Sequence, residues 1–393
     1  MLRRDAFDLP EGVIYLDGNS LGPLPRRAEA AVARAMQAEW GAMLIRGWNE
    51  AGWMDQPDRL GDRIAPLIGA APGTVTVGET LSIRVFQGLA AALSLRPGRK
   101  VILTEAGNFP SDLYMAQGLI DALGQGHVLR ALPATEIPAA LTDEVAVLML
   151  TEVDYRSGAR HDMAALTAQA HGVGALTLWD LAHSAGALPV ALTRCNADFA
   201  AGCTYKYLNG GPGAPAFFYA RPDHSEITRP ILAGWLGHAA PFDFAPDYAP
   251  GPGRARFRIG TPPVLQMAAL DAALDIFDGV DIAALHARAI VLADRLATGF
   301  EAVCPDLRRL TPMDPARRGS QIAFAHPNGY AMVQALIAQG VIGDFRAPDI
   351  LRFGLTPLYL DAGDIDTAIE RFAQVIEGRL WDDPAYRTRN KVT

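Results

Sequence analysis

From about residue 75 the chain alternates short apolar runs with longer stretches in which apolar residues recur every three or four positions. The short runs read as strands and the longer stretches as helices. Strands are predicted over 75–77, 100–104, 127–131, 145–150, 175–179 and 216–219, and 197–202 leads into a Gly- and Pro-rich turn. Helices fall between them, over 78–95, from 109 to 123 and over 162–171. The run 145–150 is apolar throughout, as expected of a strand buried on both faces. Strand and helix in turn imply right-handed crossovers and a mainly parallel sheet covered by helices. Ahead of this rhythm, 25–40 predicts a helix with Ala28, Val32, Met36 and Trp40 as its apolar face, and 58–68 a second helix. After it, 221–253 is irregular and rich in Pro, Gly and Asp. Arg254, Arg256 and Arg258 alternate as if on one strand face. Helices over 264–277 and 282–300 lead to a smaller α+β pattern, with strands at 321–325 and 350–354 and helices at 330–339 and 364–377. The expected division is an N-terminal segment 1–50, a large domain 51–280 and a small C-terminal domain 281–393.

Composition narrows the function. The chain has 393 residues, 50% hydrophobic and 20% charged, so it can bury a large core. A net charge of -8 without a Lys/Arg cluster argues against nucleic acid or an anionic membrane as partner. The N-terminus has no apolar stretch of secretory type, and no run is long enough to span a membrane. Cys195, Cys203 and Cys304 lack metal-ligand spacing, so no metal site is expected and the thiols fit a reducing cytoplasm.

Candidate chemistry gathers where the strands end, which is where such sheets bind ligands. Thr80, Phe109, Asp112, Thr151, Asp180, His183 and Lys206 all lie at or just past predicted strand ends. Lys206 stands between Tyr205 and Tyr207. A lysine among apolar residues shifts its pKa readily, as an imine-forming lysine must. It reads as the Schiff-base lysine of a pyridoxal phosphate enzyme or as a solvated loop lysine. The turn 78–82 between strand and helix is an anion site or a plain N-cap. Asp180 is an N-cap or the partner of a cationic ring nitrogen. Phe109, followed by Pro110, is a core residue or a ring presented for stacking. Arg352 interrupts an apolar strand and is a surface residue or a carboxylate clamp. Asn19 and Ser20 read as turn chemistry. Trp48, Asn49 and Trp53 line a site or pack on the surface.

Assembled, the stretches 16–22 (LDGNSLG), 109–114 (FPSDLY), 155–158 (YRSG), 180–186 (DLAHSAG), 205–213 (YKYLNGGPG), 234–238 (GWLGH) and 352–354 (RFG) resemble those of kynureninases, within the fold-type I pyridoxal-phosphate enzymes. The resemblance runs from Leu16 to about Tyr359. It implies an α/β fold with a mainly parallel seven-stranded sheet between helices, plus a small C-terminal α+β domain. The implied reaction is Cβ–Cγ hydrolysis of L-kynurenine to anthranilate and L-alanine in cytoplasmic tryptophan degradation. Lys206 would carry pyridoxal 5'-phosphate. Thr80 and Leu81 would hold its phosphate, with Tyr205, Pro110, Ser111 and Asp112 nearby. Phe109 would stack on the ring, Asp180 would pair with the ring nitrogen, and His183 and Thr151 would complete the pocket. Trp235 and Thr261 would reach the active site of a neighbouring subunit, which implies a homodimer with shared sites. Arg352 would bind the substrate α-carboxylate, Ser20 and Asn49 would lie near its aromatic end, and Tyr205 would donate a proton. Thr261 stands where many relatives have Asn, and the Trp48 region lacks a preceding His; both bear on acceptance of 3-hydroxykynurenine. Two other readings are a cysteine desulfurase-like lyase, with Cys304 as its one cysteine after Lys206, and a non-catalytic binder of the cofactor.

Overall fold

The computed structural model describes residues 2–389. Its centre is a seven-stranded sheet of β1 (Val75–Val77), β2 (Val101–Glu105), β3 (Val128–Leu132), β4 (Val145–Thr151), β5 (Leu176–Asp180), β6 (Phe199–Gly202) and β7 (Phe217–Ala220). The spatial order is β1-β7-β6-β5-β4-β2-β3. All neighbours run parallel except β7, which is antiparallel to both β1 and β6. All seven residues of β4 are buried, so its unbroken apolar run serves both faces of the sheet.

Alternate residues of each strand feed two cores. Ile102, Met149, Leu178 and Phe218 face helices α2 (Leu81–Ser94) and α3 (Pro110–Leu123), and the N-terminal helix α1 is Arg26–Arg34. Leu103, Leu150, Trp179 and Phe217 face the opposite way. That core takes in α4 (Met163–Gly172), α5 (Val264–Leu274) and α6 (Ile282–Val303) and runs on into the C-terminal part of the chain.

There a second, antiparallel sheet forms from β8 (Arg308–Arg309), β9 (Gln321–Ala325), β10 (Asp344–Arg346) and β11 (Ile350–Gly354), in the order β8-β9-β11-β10. Helices α7 (Gly329–Ala338) and α8 (Ala362–Glu377) cover it. Phe300 of α6 stacks on Phe372 of α8 at 4.1 Å and meets Phe353 of β11 edge-on at 5.3 Å. The N-terminal segment is stitched to both sheets. Ile14–Tyr15 pairs in parallel with Val341–Ile342. The loop 16–22 then bridges the two regions, because Gly354 N donates to Leu16 O at 2.6 Å and Gly22 N donates to Tyr205 O at 2.8 Å. A side chain on Gly22 would collide with Lys206 O at 2.5 Å, so this approach requires glycine.

Two expectations fail. The 25–40 helix stays α-helical only to Arg34 and continues as a π-helical turn over Ala35–Gly41. Of its expected apolar face Ala28 alone is buried; Met36 is 47% and Trp40 56% exposed. The three alternating arginines are not a strand face, because Gly253–Phe257 is a 3-10 helix following Pro252. Each guanidinium instead serves a different neighbour: Arg254 binds Asp62, Arg256 the carbonyls of Gly251, Glu226 and Thr228, and Arg258 that of Met54.

Candidate active site

The sheet register puts the key groups side by side. Thr151 and Asp180 end β4 and β5 as paired residues, and Asp180 is paired on its other side with Ala201 of β6. The chain leaves β6 through Cys203 and Thr204 and reaches Lys206 directly beyond. Thr204 Oγ1 donates to Pro215 O at 2.7 Å, and Asn209, at φ 57°, turns the loop back so that its N–H donates to Lys206 O at 2.9 Å. Lys206 is thus fixed by its backbone on both sides. Its Nζ stands 3.0 Å from His183 Nε2.

Charge in this pocket is tightly constrained. Asp180 is 3% exposed and its Oδ1 accepts from Ala182 N at 2.8 Å. Burial raises its carboxyl to about 6 against the pull of Lys206. Asp112 lies on the first turn of α3, 1% exposed; burial and the facing Asp180 push it well above the carboxylate range. His183 is held neutral by burial and by Lys206. Asn108 Oδ1 accepts from Thr151 Oγ1 at 2.5 Å and from Phe109 N at 2.7 Å, and so fixes the start of α3. Phe109 itself is 41% exposed and stands edge-on to Tyr155 at 5.1 Å, so its ring is presented at the rim rather than buried in the core. Thr80 caps α2, and the free N–H groups of Leu81 and Ser82 follow it.

These groups fit pyridoxal phosphate. Two buried carboxyl groups, Asp180 and Asp112, face each other beside Lys206, and Asp112 Oδ2 has no hydrogen-bond partner among the described residues. A ring nitrogen carrying a proton would supply a cation that keeps the buried Asp180 ionised. A helix N-terminus accepts the phosphate, and the exposed face of Phe109 suits a flat ring.

Arg352 sits in β11 and is 1% exposed. Asp344 of β10 is its direct cross-strand partner and binds it through two oxygens, at 2.8 Å for Nε. Its remaining bonds go to Ser20 Oγ at 2.8 Å and Tyr155 O at 2.6 Å. Arg346 reaches the same Asp344 at 2.8 Å. Ser20 therefore stands beside Arg352 rather than at a separate end of the site. Asp17, in the same loop, is raised to about 7 by burial and by Asp344. Sequence reasoning missed Asp17, Asn108, Asp344 and Arg346. The alternation of Asp344 and Arg346 in a strand eight and six residues before Arg352 was the available signal.

Other expected residues lie apart within one chain. Asn49 is exposed on a four-residue helix, Gly47–Glu50. Trp235 is 42% exposed and packs edge-on against Phe242 at 5.9 Å, and Thr261 is exposed. Cys304, at the end of α6, is 7% exposed with its thiol pushed up by burial. An apolar cavity of about 920 Å3 lies behind the lysine loop, between Val32, Met36, Asn209 and Leu265, and neither Lys206, Asp180, Asp112, His183 nor Arg352 lines it.

The fold and the lysine–aspartate–histidine cluster at its strand ends define a fold-type I pyridoxal-phosphate enzyme. The structure superposes on a cysteine desulfurase from Thermococcus onnurineus NA1 with TM-score 0.81, covering 95% of this chain and 97% of that one at 18% identity. The cysteine desulfurase CsdA from Escherichia coli gives TM-score 0.78 at 20% identity, covering 95% and 97%. At this identity these likenesses concern the fold. Sequence relatives are much nearer. The chain is 50% identical to a kynureninase of Burkholderia pseudomallei over 99% of its length and 95% of that protein's. It is 51% identical to one of Deinococcus radiodurans over 95% and 93%, and 47% identical to one of Pseudomonas fluorescens over 99% and 95%. Residues 285–372 match the family model for the kynureninase C-terminal domain. The chain belongs to the kynureninase family.

Proposed function

We propose that the protein hydrolyses L-kynurenine to anthranilate and L-alanine, one water consumed per turnover, with pyridoxal 5'-phosphate bound covalently through Lys206. The observation that carries this reading is the placement of Lys206 Nζ 3.0 Å from a neutral His183 and beside the buried Asp180–Asp112 pair, in a chain about half identical to kynureninases. Pyridoxal phosphate, when bound, supplies an electron sink for negative charge developing on the substrate.

This chain's residues do the rest. Asp180 keeps a proton on the cofactor's ring nitrogen, and Asp112, held neutral, orients that carboxylate. Lys206 Nζ takes the proton from the substrate's α-carbon. Tyr205 has its phenol pushed above the usual range, by burial first, so it stays protonated and serves as donor when the Cβ–Cγ bond breaks. Arg352 receives the substrate's α-carboxylate. With Asp17 neutral, two guanidiniums (Arg346 and Arg352) face one carboxylate, Asp344, and the surplus positive charge is free for the substrate. Thr80 and Leu81 hold the cofactor's phosphate; Phe109, flanked by Pro110 and Ser111, covers the ring, and Thr151 lines the pocket. Trp235 and Thr261, exposed in one chain, complete the site of a second copy, with Asn49 near the substrate's ring. The desulfurase reading lacks a reactive thiol, since Cys304 is buried at a helix end.

The test is to mix purified protein with L-kynurenine and follow anthranilate fluorescence, with Lys206→Ala alongside. Turnover in the wild type and none in the variant is expected. A protein that binds the cofactor but releases no anthranilate overturns the reading.

A further inference from the structure

Arg84 lies one turn into α2, about 5 Å of helix rise behind the proposed phosphate position. It is 1% exposed. Its guanidinium is bound by carbonyl oxygens. Nε donates to Gly78 O at 2.9 Å, and Nη1 donates to Phe257 O and to Gln87 Oε1, each at 2.7 Å. Gln87 Nε2 donates to the same Phe257 O at 3.3 Å. No carboxylate bonds to Arg84 among the described residues; Glu79 acts on it across the turn. Burial lowers its pKa to about 10, which leaves it charged at neutral pH.

The backbone it holds is unusual. Gly78 has φ 155° and Glu79 has φ 57°, where a residue other than glycine is strained. A Cβ on Gly78 would lie 3.0 Å from Arg84 Nη2, so the turn closes directly over the guanidinium. A full charge buried on carbonyl oxygens, with only Glu79 acting on it across the turn, is expensive unless more negative charge stands nearby. A phosphate dianion at the N-terminus of α2 is such a group.

We propose that Arg84 is a positioning residue for the cofactor's phosphate: it anchors the 78–80 turn and supplies positive charge beneath the start of α2. The inference rests on the cofactor reading above. It also ties the phosphate turn, through Phe257, to the segment that leads to Thr261.

The test compares pyridoxal phosphate with pyridoxal, which has the ring but no phosphate. Binding of each to apoenzyme is measured by quenching of tryptophan fluorescence, for wild type, Arg84→Met and Arg84→Lys, with the melting temperature of each apoenzyme. In Arg84→Met, affinity for pyridoxal phosphate is expected to fall on the order of tenfold or more, while affinity for pyridoxal stays within about threefold. Arg84→Lys keeps the charge and recovers part of the loss. Arg84→Gln carries the same comparison if Arg84→Met does not yield folded apoenzyme. Equal losses for both ligands would mean a structural role and overturn the proposal, as would unchanged affinity. A wild type that binds pyridoxal but prefers it to pyridoxal phosphate would sink this inference alone; one that binds neither would sink the cofactor reading with it.

Discussion

On the proposed reading, the charge of Asp17 sets how well the Arg346–Arg352 cluster holds the substrate's carboxylate. The Asp17 pKa of about 7 has two causes that act in the same direction, burial and the nearby Asp344. An acid with a raised pKa is neutral below that value and charged above it. Below pH 7 the cluster therefore carries two guanidiniums against Asp344, and above pH 7 it carries two against two. KM for L-kynurenine is expected to rise about threefold to tenfold between pH 6 and pH 8.5, with kcat changing less. Asp17→Asn removes the rise; a KM profile identical in wild type and Asp17→Asn would sink the idea. Arg352→Lys tests the clamp itself. Lysine cannot span both oxygens of Asp344 and also reach Ser20 and Tyr155, so kcat/KM should fall about 100-fold or more, largely through KM. A variant with unaltered KM would remove Arg352 from the site.

The elements that carry the site are braced from the opposite end of the sheet. Asp198, just before β6, is fully buried. It accepts from Thr177 N at 2.8 Å, from His171 and His224 at 2.7 Å each, and pairs with Arg221 at 2.9 Å. Burial, the largest single influence, raises its pKa, but the hydrogen bonds from His224 and His171 and the charges of His171 and Arg221 together outweigh it and the carboxyl ends below its usual range. A depressed acid contributes stability that is present above its unfolded pKa of about 3.9 and lost as pH falls through the folded value. Asp198→Asn is expected to cost about 3 kcal/mol at pH 7, and less only as pH drops below about 4, in chemical denaturation. A pH-independent difference would assign the loss to packing instead. Strand ends were legible in the sequence because β4, β5 and β6 are short apolar runs with polar residues at or just past their ends. Asp180 and Lys206 were therefore placed by pattern alone. The partners of Arg352 were not legible, since Asp344 meets it only through antiparallel register between strands separated by a turn. The arginines at 254, 256 and 258 misled for a related reason: alternation is the signature of a strand, but each found its own carbonyl or carboxylate in a 3-10 turn.

At the scale of the whole molecule, one chain leaves apolar surface around the irregular segment that follows β7. Trp235 is 42%, Phe242 61% and Phe244 79% exposed, and Phe242 makes edge-to-face contacts with both other rings. Patches of this kind mark contact surfaces. Thr261 is exposed in the same stretch of chain. On the proposed reading, a two-fold dimer that covers this surface would present Trp235 and Thr261 of one subunit to the lysine of the other, and each site would draw on both chains. Mixing two defective variants separates this arrangement from a site built within one chain. Lys206→Ala and Trp235→Ala, each of low activity alone, are co-expressed with different tags and the mixed species is allowed to form. In a random mixture half the dimers are mixed, and one of the two sites in each has both an intact lysine and an intact tryptophan. Activity should therefore return to about a quarter of the wild-type level. If every site is made by a single chain, or if Trp235 only packs against Phe242, the mixture will show no more than the average of the two parents.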